Sequence, residues 1–299
     1  MTRFFRQSSP TVQGIVLHLL AVMIFTLMDA MAKHLILLGY NAVQVVWARY
    51  LGQTLLIAVI VAPRLGATLR THHPYMQAAR SVLQFAATAL FFLSLRHIGL
   101  AQATAIADVN PLLITLGAAL FLGEKIGPRR LAAILVALVG ALIIIRPGFS
   151  VFSLAALLPL ACAFCYAGFA LLTRAMGAGE SLWTSLLYAA LFGTVITTGL
   201  LPLVWTPIAL GDLWAFVGIG ALGTLGQLCF IRAYSLAEAT VIAPFGYTEL
   251  VLAALWGFAF FHERPDAMTI LGALVIAGAG LYVWQREARI KAALRPSKA

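Results

Sequence analysis

Long apolar runs constrain this chain more than any other feature of its sequence. Gly14 to Leu38 reads GIVLHLLAVMIFTLMDAMAKHLILL, and Leu131 to Ile145 reads LAAILVALVGALIII. A run of about 20 apolar residues matches the hydrocarbon core of a bilayer. Because the backbone finds no water there, such a run must be helical, and the lack of alternation excludes a barrel. The sequence therefore predicts an all-α membrane protein.

The distribution of charge and cysteine supports this class. Charged residues make up 10% of the 299 residues, against roughly 25% in soluble domains. The net charge of +10 lies mostly in short loops and tails, which indicates membrane topology rather than nucleic-acid binding. Cys162 and Cys165 form a CxxC inside an apolar run, and we interpret it as packing rather than redox chemistry. The first run follows Arg3 and Arg6 as in a signal peptide, but its length indicates an uncleaved first span.

Turn residues divide the chain into ten predicted spans. Their predicted bounds are 13–38, 42–62, 77–96, 100–122, 130–146, 152–173, 181–202, 212–232, 238–261 and 267–284. With the N-terminus inside, fifteen Lys and Arg residues fall on the inner side and four on the outer side. The positive-inside rule therefore predicts that both termini are cytoplasmic. The basic tail from Gln285 onward is predicted to be solvated or to rest on anionic headgroups.

The chain also repeats itself. Residues 96–107 read RHIGLAQATAIA and residues 232–243 read RAYSLAEATVIA, while LGEK at 122–125 corresponds to FHER at 261–264. Two copies with five spans each must insert in opposite directions, because an odd number of crossings reverses the second copy. The sequence thus predicts two inverted five-helix repeats around a central cavity near the midplane. Chance similarity between apolar segments is the alternative, and the matched polar positions argue against it.

These motifs resemble the drug/metabolite transporter superfamily, and within it the ten-helix EamA-type exporters and the bacterial aromatic amino-acid exporters. The resemblance rests on residues 101–148 and their weaker copy at 237–284, and its pattern is an Ala-rich helix with an internal Pro, a Gly-Glu turn and a Gly-containing helix. It implies EamA repeats at 1–148 and 149–284, a basic tail at 285–299, a bacterial inner membrane, and no cofactor or metal. Pro244 aligns with Asp108 rather than Pro111, so the two half-sites are not symmetric.

Five ionisable residues fall well inside the predicted spans: Asp29, Lys33, Arg49, Asp108 and Glu249. A charge facing lipid at a helix centre costs roughly 2.5 to 3.5 kcal/mol, so these groups should face one another or a wet cavity. At a rise of 1.5 Å per residue, Asp29, Arg49 and Asp108 share a level roughly 10 to 14 Å below the outer surface, and Glu249 lies close to the midplane. Such a layer could hold both ends of a zwitterion. Alternatively, Asp29 and Lys33 neutralise each other, Lys33 extends to the surface, or Arg49 pairs with Asp29 for packing.

Proline breaks and uncharged polar residues complete the predicted site. Pro111 and Pro244 each remove a backbone donor inside a span, which predicts broken helices as cavity walls, with packing kinks as the alternative. The further predicted cavity residues are Gln84, Thr104, Tyr166, Gln227, Tyr234 and Tyr247. For the tyrosines, anchoring at the membrane interface is the alternative.

The pattern as a whole predicts a transporter and not an enzyme, since the sequence contains no GxSxG, HExxH or P-loop motif. It also contains no filter motif typical of a channel. We expect export of amino acids, aromatic or other neutral ones included, and related small metabolites by alternating access. The alternative is a proton-coupled exporter of cationic drugs. The expected partners are the solute and the lipid bilayer, without nucleic acid, for a monomer or weak homodimer.

Overall fold

The computed structural model describes residues 9–121, 123, 127–147, 153–176, 180–237 and 239–294, except the side chains of 174, 239, 240, 243, 244, 287, 288 and 290–294. This part of the chain is helical and contains no strand. The main helices are α1 (Pro10–Leu37), α2 (Ala42–Val61), α3 (Pro74–Ser94), α4 (Leu100–Ala107), α5 (Asn110–Phe121), α6 (Pro128–Ile145), α7 (Leu157–Met176), α8 (Leu182–Val204), α9 (Leu213–Leu236), α10 (Ala239–Gly246), α11 (Thr248–Phe261) and α12 (Ala267–Leu294). A single helical turn, Leu65–Thr68, lies between α2 and α3.

The prediction of ten apolar spans is confirmed. Nine segments of the described chain are long and apolar enough to cross a membrane, and a shorter apolar helix, Thr248–Phe261, completes the tenth. Span 4 consists of α4 and α5, and span 9 consists of α10 and α11. Several helices begin with proline in the first turn, as at Pro10, Pro74 and Pro128, where the missing N–H is not needed.

Both broken spans are interrupted at equivalent positions of the two repeats. In span 4 the break covers Asp108 and Val109, and in span 9 it lies at Tyr247. Tyr247 follows Asp108 by the same number of residues as Phe261 follows Leu122, so the repeat that relates LGEK to FHER also relates the breaks. The prolines are placed differently, because Pro111 lies in the first turn of α5 whereas Pro244 lies within α10.

Helix packing follows the internal duplication. Helix α1 packs against α9, α3 against α7, α2 against α8, and α6 against α12. The repeat relates each span to the one five places along the chain. The contact between spans 1 and 8 (α1 with α9) therefore corresponds to the contact between spans 6 and 3 (α7 with α3). The other two contacts are converted into themselves. The fold is therefore two five-span repeats with matching contacts, as predicted.

The connections between spans alternate between two ends of the bundle. At the Glu263 end, Lys33 forms an ion pair with Glu263, and the Tyr40 hydroxyl donates to Asp212 Oδ2 at 2.7 Å. At the opposite Glu180 end, the Thr71 hydroxyl donates to Glu180 Oε1 at 2.7 Å. The N-terminal part of α1 lies beside the last residues of α9, at the Glu180 end. The Glu180 end is the one predicted to face the cytoplasm, and this orientation stays a prediction.

Small residues let the helices approach closely. A Cβ atom added to Gly52 of α2 would lie 2.6 Å from the Cα of Gly220 in α9. No side chain fits there, so the two backbones are in direct contact. In a bilayer this close packing stabilises helix association, because lipid tails offer no hydrophobic drive for it.

The C-terminal helix extends further than predicted. Helix α12 continues to Leu294, beyond the predicted end of span 10 at residue 284. The basic tail from Gln285 therefore begins as a continuation of the helix, while residues 295–299 lie outside the described residues. The predicted repeat boundary between residues 148 and 149 also involves residues outside the described ones, and it stays a prediction.

Glu180 joins two connections at its end of the bundle. Its carboxylate accepts hydrogen bonds from the backbone N–H groups of His72 at 2.5 Å and His73 at 3.1 Å, besides those from Thr71 and Gln77. Burial alone would raise the pKa of Glu180, but the hydrogen bonds from Thr71 and the two backbone N–H groups, with the bond from Gln77, hold it below its usual value.

We expect Glu180→Gln to lower the free energy of unfolding by about 1 to 2 kcal/mol at neutral pH, because it weakens several charge-assisted hydrogen bonds. The folded-state pKa lies below the unfolded value, so this contribution is lost as the pH falls through about 4.3 and below. Thermal unfolding in detergent at pH 7 and pH 4 measures both effects. Thr71→Val removes one donor only, so it should cost less and should weaken the pH dependence without abolishing it.

Candidate functional site

Four charged residues predicted from the sequence lie near one another within the bundle, where Arg49 and Glu249 are half-buried. Asp29 in α1 and Asp108 at the span 4 break are 8% and 9% exposed. The Asp29 carboxyl group interacts electrostatically with Arg49 in α2 and Glu249 in α11, and Asp108 interacts with Glu249. We call Asp29, Arg49, Asp108 and Glu249 the polar layer. It combines side chains from both repeats and from both broken spans.

Arg49 is held from one side and keeps donors for a ligand. Its Nη1 atom donates to the Thr88 hydroxyl at 3.0 Å, and its guanidinium carbon lies 5.7 Å from the ring centroids of Tyr50 and Phe92. The Tyr50 hydroxyl donates to the same Thr88 oxygen at 3.0 Å. Among the described residues, Arg49 forms no ion pair, and its buried Nε has no hydrogen-bond partner. The guanidinium is thus oriented but not neutralised by direct contact.

Two more buried polar atoms near this level lack partners in the described part of the chain. They are Oδ2 of Asp108 and Oε1 of Gln84, a side chain in α3 that is 9% exposed. A buried polar atom without a hydrogen bond costs about 1 to 3 kcal/mol. Such atoms in one region indicate a place that a ligand or water completes.

Two tyrosines and a threonine extend the polar layer. Tyr247, at the span 9 break, interacts electrostatically with Asp108, and Tyr166 in α7 interacts with Glu249. The Tyr247 hydroxyl lies against the backbone of Gly280 in α12, where it occupies the space that a Cβ atom would need. Thr104 is 2% exposed, one turn before Asp108. The predicted tyrosines at 166 and 247 therefore lie beside the charges rather than at the ends of the bundle.

Three other residues predicted to line the cavity are less buried than Asp29 and Asp108. Tyr234 is 38% exposed in α9, Gln227 is half-buried, and Pro111 is exposed. The side chain of Pro244 is outside the described part of the chain.

Lys33 is bound at the Glu263 end. Its ammonium pairs with Glu263 and donates to the Ile98 carbonyl at 2.8 Å. Glu263 Oε2 in turn accepts the backbone N–H of Leu100, the first residue of α4, at 2.9 Å. Lys33 follows Asp29 by one helical turn, but it pairs with Glu263 instead. Among the described residues, the cation of the polar layer is therefore Arg49. The FHER motif at 261–264 contains Glu263, but the sequence does not indicate that Lys33 in span 1 is the partner of this carboxylate.

A cavity of about 360 Å³ lies at the Glu263 end. Its polar lining residues are Gln102, Arg146, Glu263, Arg264, Asp266 and Thr269. The pair of Lys33 with Glu263 lies between this cavity and the polar layer, because Glu263 lines the cavity and Lys33 is one turn from Asp29. Within the described residues no group of three or more His, Cys, Asp or Glu side chains is placed to hold a metal ion.

The family comparison decides the class of this protein. The model of the EamA-like transporter family matches residues 12–146 and again residues 153–284. The chain belongs to the EamA-like transporter family. It is therefore a multi-pass membrane transporter and not an enzyme.

Relatives of this EamA-like transporter act on chemically different solutes. The pseudopaline exporter CntI of Pseudomonas aeruginosa (strain UCBPP-PA14) is 32% identical, over 88% of this chain and 93% of its own length. A riboflavin transporter of Rhizobium johnstonii is 31% identical, over 95% of this chain and 94% of its own. An S-adenosylmethionine uptake transporter of Rickettsia bellii is 27% identical, over 92% and 94%.

A solved crystal structure has the same fold. It covers 95% of this chain and 99% of its own, with a TM-score of 0.60 and 18% sequence identity. At this identity the likeness shows the fold of the EamA-like transporter alone.

Proposed function

We propose that this EamA-like transporter exports amino acids, aromatic and other neutral ones included, and related small metabolites by alternating access. The polar layer carries the proposal. Arg49 keeps donors that suit the carboxylate of an amino acid, and the surrounding carboxylates suit its ammonium group. Tyr166 and Tyr247 lie beside these charges and offer rings to an aromatic side chain.

The position of the layer supports alternating access. Asp29, Arg49 and Asp108 belong to the first repeat, whereas Glu249 belongs to the second. Movement of one repeat against the other would therefore change how the two ends of a zwitterion are held. The Pseudomonas aeruginosa relative is named as an exporter, which supports the proposed direction.

The test is transport of radiolabelled amino acids by purified protein in proteoliposomes, with and without a pH gradient. Saturable flux with counterflow is expected. Flux that ignores the gradient indicates facilitation, and flux that follows it indicates proton coupling. A complete lack of amino-acid flux would contradict the proposal.

A proton-coupled exporter of cationic compounds is the second candidate, and the engagement of Lys33 with Glu263 favours it. With Lys33 held at the Glu263 end, one Arg faces three carboxyl groups in the polar layer among the described residues. Such an excess of acidic groups suits a cation or a bound proton. Competition of amino-acid flux by organic cations, measured in the same vesicles, distinguishes the two candidates.

We expect Asp108→Asn to lower amino-acid transport about ten- to hundredfold. Asparagine keeps the shape but cannot make a charge-assisted hydrogen bond to an ammonium group, a contact of about 1.5 to 3 kcal/mol. Initial rates in proteoliposomes measure the loss, and monodisperse elution in detergent shows folding. Asp212→Asn is the matched control, because Asp212 accepts from Tyr40 at the Glu263 end, outside the layer. Equal activity of the Asp108 variant and wild type would remove Asp108 from the proposed site.

We also infer that both termini are cytoplasmic in a bacterial inner membrane, from the predicted charge asymmetry of the loops. A reporter fused to the C-terminus that is active only in the cytoplasm tests this orientation. The division into repeats at 1–148 and 149–284, the tail at 285–299, and a monomer or weak homodimer belong to the same proposal.

A further inference from the structure

His18 in α1 is a buried imidazole that forms no hydrogen bond within the described residues. It is 3% exposed, and in the described structure neither ring nitrogen has a hydrogen-bond partner. A neutral imidazole carries one N–H donor and one acceptor, so two strong hydrogen-bonding groups are left unsatisfied. Phenylalanine would fill the same space without burying two polar nitrogens. Packing alone therefore does not account for a histidine here.

Aromatic rings surround this imidazole. The ring centroid of Phe230 lies 5.8 Å from that of His18, and Tyr234 lies 5.7 Å away in an edge-on arrangement. Phe230 and Tyr234 are 4.6 Å apart, and Phe25 contacts Phe230 at 6.4 Å. We call His18, Phe25, Phe230 and Tyr234 the ring cluster. These four side chains come from α1 and α9.

The ring cluster lies next to the polar layer, on its Glu180 side. His18 Nε2 is 3.8 Å from the point where a Cβ of Gly246 would be, so it faces the end of α10 at the span 9 break. Glu249 follows Gly246 by three residues across the break at Tyr247, so their Cα atoms are at most about 11 Å apart. Tyr234 also interacts electrostatically with Tyr166, which in turn interacts with Glu249. Tyr234 of the ring cluster and Glu249 of the polar layer are therefore both within electrostatic range of Tyr166.

We propose that the ring cluster is the subsite for the aromatic side chain of the solute, and that His18 hydrogen-bonds a polar group on that ring. The inference rests on the proposed amino-acid transport, with the ammonium group of the solute between Asp108 and Glu249. Phe230 and Tyr234 supply ring contacts. His18 selects rings with a hydroxyl or N–H group, since an apolar ring would leave its nitrogens unpaired. The preferred solutes are then tyrosine and tryptophan over phenylalanine.

The test compares tyrosine with phenylalanine as substrates of wild type and His18→Phe in proteoliposomes. We expect His18→Phe to lower kcat/KM for tyrosine relative to phenylalanine by about five- to thirtyfold, the loss of one hydrogen bond. His34→Phe is the matched control on the same helix, because His34 is exposed and its ring lies 6.5 Å from that of Trp214. It should leave the tyrosine-to-phenylalanine ratio unchanged.

Two further arms keep the subsite testable. His18→Gln retains a donor and an acceptor and should restore part of the preference for tyrosine. If His18→Phe does not fold, Tyr234→Leu replaces it and should lower flux of both aromatic amino acids relative to leucine. The subsite is wrong if the wild type transports amino acids and none of these variants changes the ratio of tyrosine to phenylalanine transport or of aromatic amino acids to leucine. Wild type that transports no amino acid contradicts the proposed function instead.

Discussion

Replacing Arg49 with methionine is expected to lower amino-acid transport about a hundredfold or more. Arg49 is the cation of the polar layer within the described residues, and a bidentate guanidinium–carboxylate contact contributes two charge-assisted hydrogen bonds. Its loss also leaves three carboxyl groups near one another without a compensating charge. Initial rates of radiolabelled amino-acid flux in proteoliposomes, normalised to folded protein, measure the effect. Arg49→Lys keeps the charge without the planar fork and should retain part of the activity.

Arg80 provides the control, since it is also an arginine within a span that donates hydrogen bonds to neighbouring helices. It is 4% exposed, its Nε donates to the Thr173 hydroxyl at 2.7 Å, and its Nη1 donates to the Ser185 carbonyl at 3.0 Å. These contacts join α3 to α7 and α8 toward the Glu180 end, and none of them is to Asp29, Asp108 or Glu249. Arg80→Met should therefore lower thermal stability while transport per folded molecule is retained. Wild-type flux through Arg49→Met would show that the polar layer does not bind the solute.

Replacing Glu263 with glutamine is expected to lower the free energy of unfolding by about 3 kcal/mol, because it leaves the buried Lys33 ammonium without its carboxylate. The Lys33 side chain is 4% exposed and that of Glu263 is 26% exposed. The pair links span 1 to the connection between spans 9 and 10, and Glu263 also holds the first N–H of α4. Thermal or denaturant unfolding in detergent measures the change.

The double variant Lys33→Met with Glu263→Gln should lose less free energy of unfolding than the two single variants lose together. Removing both charges leaves none buried and unpaired. The pair of Arg146 with Asp266 is the matched comparison at the same end. Asp266 is 53% exposed, and its hydrogen bond from Arg146 lowers its pKa to about 2. Asp266→Asn should cost less than about 1 kcal/mol, as exposed ion pairs do. Strictly additive effects at Lys33 and Glu263 would contradict the expected coupling.

The polar layer was predictable because a charge is conspicuous in an apolar span. Asp29, Arg49, Asp108 and Glu249 each interrupt such a run, and the energetic cost of exposing them to lipid requires that they meet inside the bundle. Helical rise places them at similar depths without knowledge of the packing. The break of span 4 was predictable from Pro111 in the same way, whereas Pro244 lies within α10 and the break of span 9 comes after it, at Tyr247.

The partners of Lys33 and His18 were not predictable on this basis. Asp29 is one helical turn from Lys33, and local spacing favours their pairing, but the bundle brings the distant Glu263 closer. His18 has no metal-ligand spacing and becomes notable only because Phe230, Tyr234 and Gly246 surround it without offering a hydrogen bond. A partner on another span depends on which helices are neighbours, and periodicity within one span carries no information about that.

Taken by itself, the sequence determined the membrane class, the ten spans, the inverted duplication and the residues too polar to face lipid. Each of these depends on the cost of placing a local group in hydrocarbon, which a short segment reveals. Only the tertiary structure decided that Lys33 is bound by Glu263, that Arg49 remains without an ion pair in the described residues, and that His18 is enclosed by rings. These depend on contacts between helices far apart in the chain, where close packing of small residues selects the neighbours.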